Sequence, residues 1–80
     1  MYRWIQPETS RYYHAHLVED LFGDWTLVAC WGSLDTRKNR VRKTGVPSYE
    51  AGMARIKAID RRRRLDGYRL VQESTNPQDA

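Results

Sequence analysis

The chain has a single cysteine among its 80 residues. One cysteine excludes an internal disulfide framework, and no C-x-x-C spacing of the kind that binds structural zinc is present. No apolar run approaches the roughly 18 residues that would span a membrane, and residues 1–10 lack the apolar segment of a signal peptide. Together these absences predict a cytoplasmic protein that contacts no membrane and binds no metal.

The residue sets on which most enzymes depend are missing as well. The sequence has no glycine-rich phosphate loop and no evident pair of catalytic carboxylates. His14 and His16 would share one face of a strand, but no third metal ligand stands nearby. Cys30 has neither a paired base nor an oxyanion site in its surroundings. We therefore expect a binding domain rather than an enzyme, and one without a cofactor.

Aromatic residues and cationic residues are what the chain does have. Three Trp, five Tyr and one Phe can fill a small core, since each buries about 150–250 Å². Residues 1–36 hold two cationic and five acidic side chains, whereas residues 37–69 hold twelve cationic and three acidic ones. Charge that is segregated in this way favours a polyanionic partner, although charge runs are more often simply solvated.

The hydrophobic pattern predicts an α+β fold. Alternation of apolar and polar residues indicates strands over 1–6, 11–18, 25–32, 40–46 and 68–72. The segment EDLFGD reads as a hairpin connection. In the fourth strand the alternation places Arg40 and Arg42 on one side, which we expect to be solvated.

Residues 48–65 have the pattern of a helix. Ser48 is a suitable N-cap, and the buried stripe is predicted to contain Tyr49, Met53, Ile56 and Ile59. Four consecutive arginines, outside this stripe, occupy its last turns. The expected architecture is a single antiparallel sheet of four to five strands packed on one long α-helix. It forms one domain over residues 1–72, followed by a polar, disordered tail over residues 73–80.

Several of these segments together resemble the WGR domain. The shared features are a tyrosine-rich strand, DLFGDW, a strand that runs into Trp31-Gly32, a basic strand, and a serine-led helix followed by Gly67-Tyr68. The domain is named for a Trp-Gly-Arg signature. It occurs in the DNA-break-sensing poly(ADP-ribose) polymerases and in small bacterial proteins related to a molybdate-metabolism regulator. The resemblance covers about residues 2–71 and includes two of the three signature residues, with Ser33 in place of the arginine.

The resemblance implies a DNA-binding role. In the polymerases the signature Trp packs on a terminal nucleotide and the Arg binds the backbone. Trp31 matches the first role, and Tyr68 matches a family tyrosine that lies near the DNA. Ser33 cannot supply the arginine's contact, so weak binding is expected. The predicted nucleic-acid-binding residues are Trp31, Gly32, Arg37, Lys38, Arg40, Arg42, Arg61, Arg62, Arg63, Arg64 and Tyr68.

Two alternatives remain open from the sequence. Trp31 shares a strand face with Trp25 and Leu27, so it can instead be a core side chain at the end of a strand. The basic clusters can dock an acidic protein, in which case the chain is a protein-interaction module without a nucleic-acid role. In either case we expect a monomer. A third and more distant alternative is an oligomeric structural protein that uses an edge strand.

Overall fold

One antiparallel sheet and one helix make up the part of the chain that the computed structural model describes, residues 1–73. The elements in chain order are β1 (Tyr2–Gln6), β2 (Arg11–Glu19), β3 (Trp25–Ser33), β4 (Asn39–Val46), α1 (Tyr49–Leu65) and β5 (Arg69–Gln72). The predicted α+β class and the order of elements are confirmed. The predicted disordered tail lies outside the described residues, apart from Glu73.

The five strands are arranged in the order β4-β3-β2-β1-β5. The first four strands follow one another as antiparallel neighbours, and α1 then returns the chain so that β5 pairs with β1 at the opposite edge. Directly paired residues point to the same face of a sheet. The pairs Tyr13–Trp31 and Trp31–Arg40 therefore place these three side chains side by side on one face.

The helix covers the centre of that face. Trp4 is fully buried there, and its indole Nε1–H donates a hydrogen bond to Asp60 Oδ1 on the helix at 2.8 Å. Trp4 packs in one core with further buried side chains: Tyr2, Ala15, Leu17, Leu27, Val46 and Ile56. A polar atom buried in a core needs a partner, and Asp60 satisfies the one that Trp4 brings.

The helix begins and ends close to the predicted residues. Ser48 is the N-cap, and its Oγ accepts a hydrogen bond from the Ala51 N–H at 3.0 Å. The predicted stripe is only partly correct, because Ile56 is buried whereas Tyr49, Met53 and Ile59 are half-buried. Gly52 is the other buried helix position. A Cβ at this position would collide with the Leu17 side chain. Glycine therefore allows the helix to approach β2 closely.

The predicted exposure of the two β4 arginines is confirmed, and the register adds which face of the sheet they occupy. Arg40 and Arg42 are exposed, as expected, but they lie on the helix side of the sheet and not on the open side. The register fixes this, because Ala29 pairs with Arg42 and Trp31 pairs with Arg40. The sheet is wider than the helix, so side chains on the helix face of the edge strand still reach solvent. No helix within residues 1–73 is both long and apolar enough to cross a membrane.

Candidate nucleic-acid interface

Trp31 lies on the helix face of the sheet, at the end of β3 that the helix leaves open. Its ring stacks on Tyr13 of the neighbouring strand, with 5.7 Å between ring centroids and 9° between ring planes. Trp31 is half-buried. Part of the indole is therefore packed against Tyr13 and part is open. Whether the open part binds a nucleotide stays a prediction.

The stack continues into the end of the helix through Arg63. The Arg63 guanidinium carbon lies 5.0 Å from the centroid of the Tyr13 ring and 5.4 Å from that of Tyr68. Both distances are typical of cation–π contacts. We call Trp31, Tyr13, Arg63 and Tyr68 the stacked cluster. Burial raises the pKa of Tyr13, and the Arg63 charge opposes that rise.

Arg63 corrects a second prediction. The sequence pattern places all four helix-end arginines outside the buried stripe, but Arg63 follows Ile59 by four residues and is half-buried. Residues four apart lie on the same side of a helix. Arg63 therefore belongs to the packed side of α1 and joins the helix to the sheet. The other three arginines are exposed.

A wide groove opens beside Trp31, and we call it the Trp31 groove. Its volume is about 850 Å³ and it lies where β3 and β4 meet their connecting loop. Besides the indole it contains Arg11 of β2, Arg37 and Lys38 of the loop, and Arg40 of β4. None of these four cations has an ion-pair partner among residues 1–73. The groove therefore combines an aromatic ring with four positive side chains that form no ion pair within residues 1–73.

Gly32 and Ser33 shape this groove through the backbone. A Cβ on Gly32 would lie 2.7 Å from the Lys38 carbonyl oxygen, so only glycine fits between the strand and the returning loop. Ser33 Oγ accepts a hydrogen bond from the Asp35 N–H at 3.1 Å. Close packing against the loop is therefore sufficient to explain a glycine at position 32, without a ligand. The Ser33 hydrogen bond stabilises the turn of the loop.

A second, smaller cavity lies between β3, β4 and the last turns of α1, and we call it the arginine cavity. Its volume is about 330 Å³. Its floor is aliphatic, formed by Leu27, Ala29 and Ile59, and Tyr13 is part of its wall. Four arginines line it: Arg42, Arg55, Arg62 and Arg63. Convergent charged groups over an apolar floor are typical of ligand sites.

Most helix-end arginines already have acidic partners. Arg62 and Arg63 lie 3.4 and 3.2 Å from Asp66 Oδ2, and Arg64 Nε lies 2.9 Å from Asp60 Oδ2. Burial of Asp60 would raise its pKa, but hydrogen bonds from Trp4 and Arg64 outweigh this and hold the pKa below its usual value. Asp60 is therefore ionised at neutral pH. Arg61 is the one cation of the run without a partner in the described part of the chain.

The structure thus brings part of the helix-end run to the face of the strand cations: Arg62 and Arg63 line the arginine cavity with Arg42, and Arg63 also belongs to the stacked cluster. It also adds residues that the sequence analysis did not assign to a site: Tyr13, Arg11 and Arg55. Tyr13 lies on the face of β2 that the helix covers, and only the register between β2 and β3 reveals its stack with Trp31. Arg11 stands in an acidic part of the sequence, which concealed its place in the groove.

Within residues 1–73 no helix covers the opposite face of the sheet. His14 lies there beside Tyr12, with 4.9 Å between ring centroids. Burial lowers the pKa of His14, and the neighbouring Arg3 lowers it further. Within residues 1–73 no three His, Cys, Asp or Glu side chains come together as metal ligands would.

Comparison with known proteins adds no identification. The chain matches no protein-family model, no curated protein and no solved structure.

Proposed function

We propose that this chain is a nucleic-acid-binding module that uses the Trp31 groove. The observation that carries the proposal is the convergence of cations from β2, β4 and the β3–β4 loop around a half-open indole. Single-stranded and frayed nucleic acids are held by this combination, in which a base stacks on an aromatic ring and cations meet the phosphates. Each phosphate that a cation neutralises releases counterions and so contributes to affinity.

DNA is favoured over RNA only by the resemblance to WGR domains, and the WGR-like fold is itself part of the proposal. Trp31 would act as the stacking residue. Arg37, Lys38 and Arg40 would meet phosphates, and Arg42 with the helix-end arginines would extend the positive field. Tyr68 would act indirectly, by holding Arg63 in the stacked cluster. We further propose that the module works in the cytoplasm.

Binding is expected to be weak and tolerant of nucleic-acid structure. Ser33 stands in the groove where the WGR signature has an arginine, and a serine cannot form the paired hydrogen bonds that a guanidinium makes to phosphate. A hydrogen bond to a charged group is worth about 1.5–3 kcal/mol. Without such a hydrogen bond we expect weak association rather than tight recognition of a strand break.

Two substitutions test the proposal. Ser33→Arg is expected to tighten binding to a nicked duplex by about tenfold, which corresponds to one added charged hydrogen bond. Trp31→Ala is expected to weaken binding by about tenfold, since stacking contributes about 1–3 kcal/mol per base. Titration of fluorescently labelled nicked and intact duplexes, with thermal unfolding as the control for folding, measures both effects.

The opposite results would contradict the proposed nucleic-acid-binding function. If Trp31→Ala unfolds the domain and Ser33→Arg gains nothing, the indole is a core side chain. The second candidate function then takes its place, which is docking of an acidic protein. The arginine cavity favours that candidate, because its aliphatic floor suits an apolar side chain better than a phosphate.

A further inference from the structure

The connection between β2 and β3 presents two large apolar side chains to solvent. Leu21 is 100% exposed and Phe22 is 90% exposed. Single exposed apolar residues are common on protein surfaces, but two adjacent ones at the end of a hairpin form a projecting apolar tip. Neither residue belongs to the core, so packing within the domain does not explain why these positions carry large apolar side chains.

The turn that carries these side chains is well fixed. Asp20 Oδ1 accepts hydrogen bonds from the Phe22 and Asp24 N–H groups at 2.8 and 3.0 Å. The Asp20 N–H donates to the Asp24 carbonyl oxygen at 3.0 Å, and Gly23 adopts a φ of +82°, which favours glycine. A turn held in this way loses little conformational freedom on binding, and this favours a role as a docking element.

The charge around the tip indicates what it can bind. Glu19, Asp20 and Asp24 are exposed around it, and residues 19–24 contain no cation. A phosphate backbone would be repelled here. The tip also lies at the Trp25 end of β3, whereas the Trp31 groove lies at the other end. Its partner should therefore offer an apolar pocket with cations at the rim.

The same chain contains such a pocket. The arginine cavity has an aliphatic floor and four arginines, of which Arg42 and Arg55 have no ion-pair partner among residues 1–73. A cavity of about 330 Å³ has room for an apolar side chain. We propose that the Leu21–Phe22 tip of one copy docks into the arginine cavity of a second copy, with the carboxylates of the tip meeting Arg42 and Arg55.

The geometry of such a contact sets its consequences. Tip and cavity are different surfaces, so the contact is head-to-tail and can add further copies rather than close into a symmetric dimer. Two side chains bury far less than the 1,200–2,000 Å² or so of a stable interface, and so the contact is weak in free solution. It becomes effective where copies are held at high local concentration, as along a polyanion. The contact itself needs no nucleic acid.

Amide chemical shifts and sedimentation of the full chain, from about 0.05 to 1 mM without nucleic acid, test the proposal. Wild type is expected to show concentration-dependent shifts at both the tip and the cavity, with a rising mean mass. Leu21→Ser/Phe22→Ser removes the tip, and Arg42→Gln/Arg55→Gln removes the cavity cations. Each double variant alone should associate at least tenfold more weakly than wild type.

Mixing the two double variants is the decisive step. Each retains the surface that the other lacks, so an equimolar mixture should regain a one-to-one complex that does not grow further. Arg37→Gln/Lys38→Gln is the matched control, because it removes the same charge from the Trp31 groove and should leave association within twofold of wild type. Circular dichroism checks that all variants fold.

Either of two results would overturn the proposal. One is an absence of concentration dependence in wild type up to about 1 mM, which does not rely on any variant. The other is a folded mixture that fails to associate. Binding of a short duplex by the tip variant is measured separately. Its loss would argue against the proposed function and not against self-association.

Discussion

Two basic regions of this molecule look alike in the sequence and differ in the structure. One is the strand and loop region that contributes Arg37, Lys38 and Arg40 to the Trp31 groove. The other is the run of four arginines at the end of α1. The groove cations have no acidic partner within residues 1–73, whereas Arg62, Arg63 and Arg64 all form ion pairs with Asp60 or Asp66.

Ion pairing decides which cations are available to a ligand. The carboxylate beside a paired guanidinium cancels part of its positive field and repels a phosphate, so a paired guanidinium contributes less to binding than an unpaired one. An unpaired cation beside an aromatic ring releases counterions on contact without that repulsion. The number of positive residues in a run is therefore a poor guide to where a polyanion binds.

The largest expected effect comes from exchanging three cations in each region for glutamine. Arg37→Gln/Lys38→Gln/Arg40→Gln should weaken binding of a short duplex by about 100-fold at low salt. It should also reduce the slope of log affinity against log salt by about two to three. Arg61→Gln/Arg62→Gln/Arg64→Gln should weaken binding by less than about fivefold, with a slope change near one.

Both triple variants lower the net charge by the same amount, so long-range attraction changes equally and the difference reports on direct contact. Fluorescence anisotropy at four or more salt concentrations measures the two slopes. An effect of the helix-end variant as large as that of the groove variant would abolish the distinction between the regions.

Within the helix end, Arg63 is expected to contribute more to stability than Arg61, because its role is structural. Arg63→Ala removes two cation–π contacts and an ion pair, and should lower the free energy of unfolding by about 1–2 kcal/mol. Arg61→Ala removes the same charge from an exposed side chain without a partner in the described chain, and should change it by no more than about 0.5 kcal/mol. Urea unfolding followed by tryptophan fluorescence compares them. Equal losses would mean that the stacked cluster adds no stability.

The fold could be predicted largely from the sequence, because its signals are local. Strand alternation, the Ser48 cap and the glycine after α1 each depend on a few neighbouring residues, and the observed elements lie close to the predicted ones. The ion pairs of Asp60 with Arg64 and of Arg62 with Asp66 could also be predicted from the sequence, since the partners in each pair are four residues apart along the helix and its C-cap.

The site could be predicted only in part, because it depends on contacts between distant residues. The register that places Tyr13 on one side of Trp31 and Arg40 on the other follows from pairing across three strands. Arg63 reaches Tyr13 only because α1 crosses the sheet at a particular place. The sequence pattern therefore identified the indole and the cations and the exposure of Arg40 and Arg42, but not that these two arginines share the helix face of the sheet with Trp31.

The smallest expected effect comes from removing an acidic partner at the helix end, so that two of its arginines become unpaired like the groove cations. Asp66→Asn removes the carboxylate that Arg62 and Arg63 share, while the residue's backbone N–H can still cap the helix. Of the two freed guanidiniums, Arg63 belongs to the stacked cluster and Arg62 lines the arginine cavity, so affinity for a short duplex should rise by about two- to threefold at about 0.1 M salt. Stability should change little, since exposed ion pairs contribute about 0–1 kcal/mol.

Glu50→Gln is the matched control for this substitution. It removes the same charge from the first turn of α1, about 24 Å along the helix from Asp66, which exceeds the screening length of about 10 Å at that salt. Affinity should therefore change by less than about 1.5-fold. If both substitutions raise affinity equally, net charge alone attracts the polyanion. Pairing at the helix end would then not decide which cations bind it.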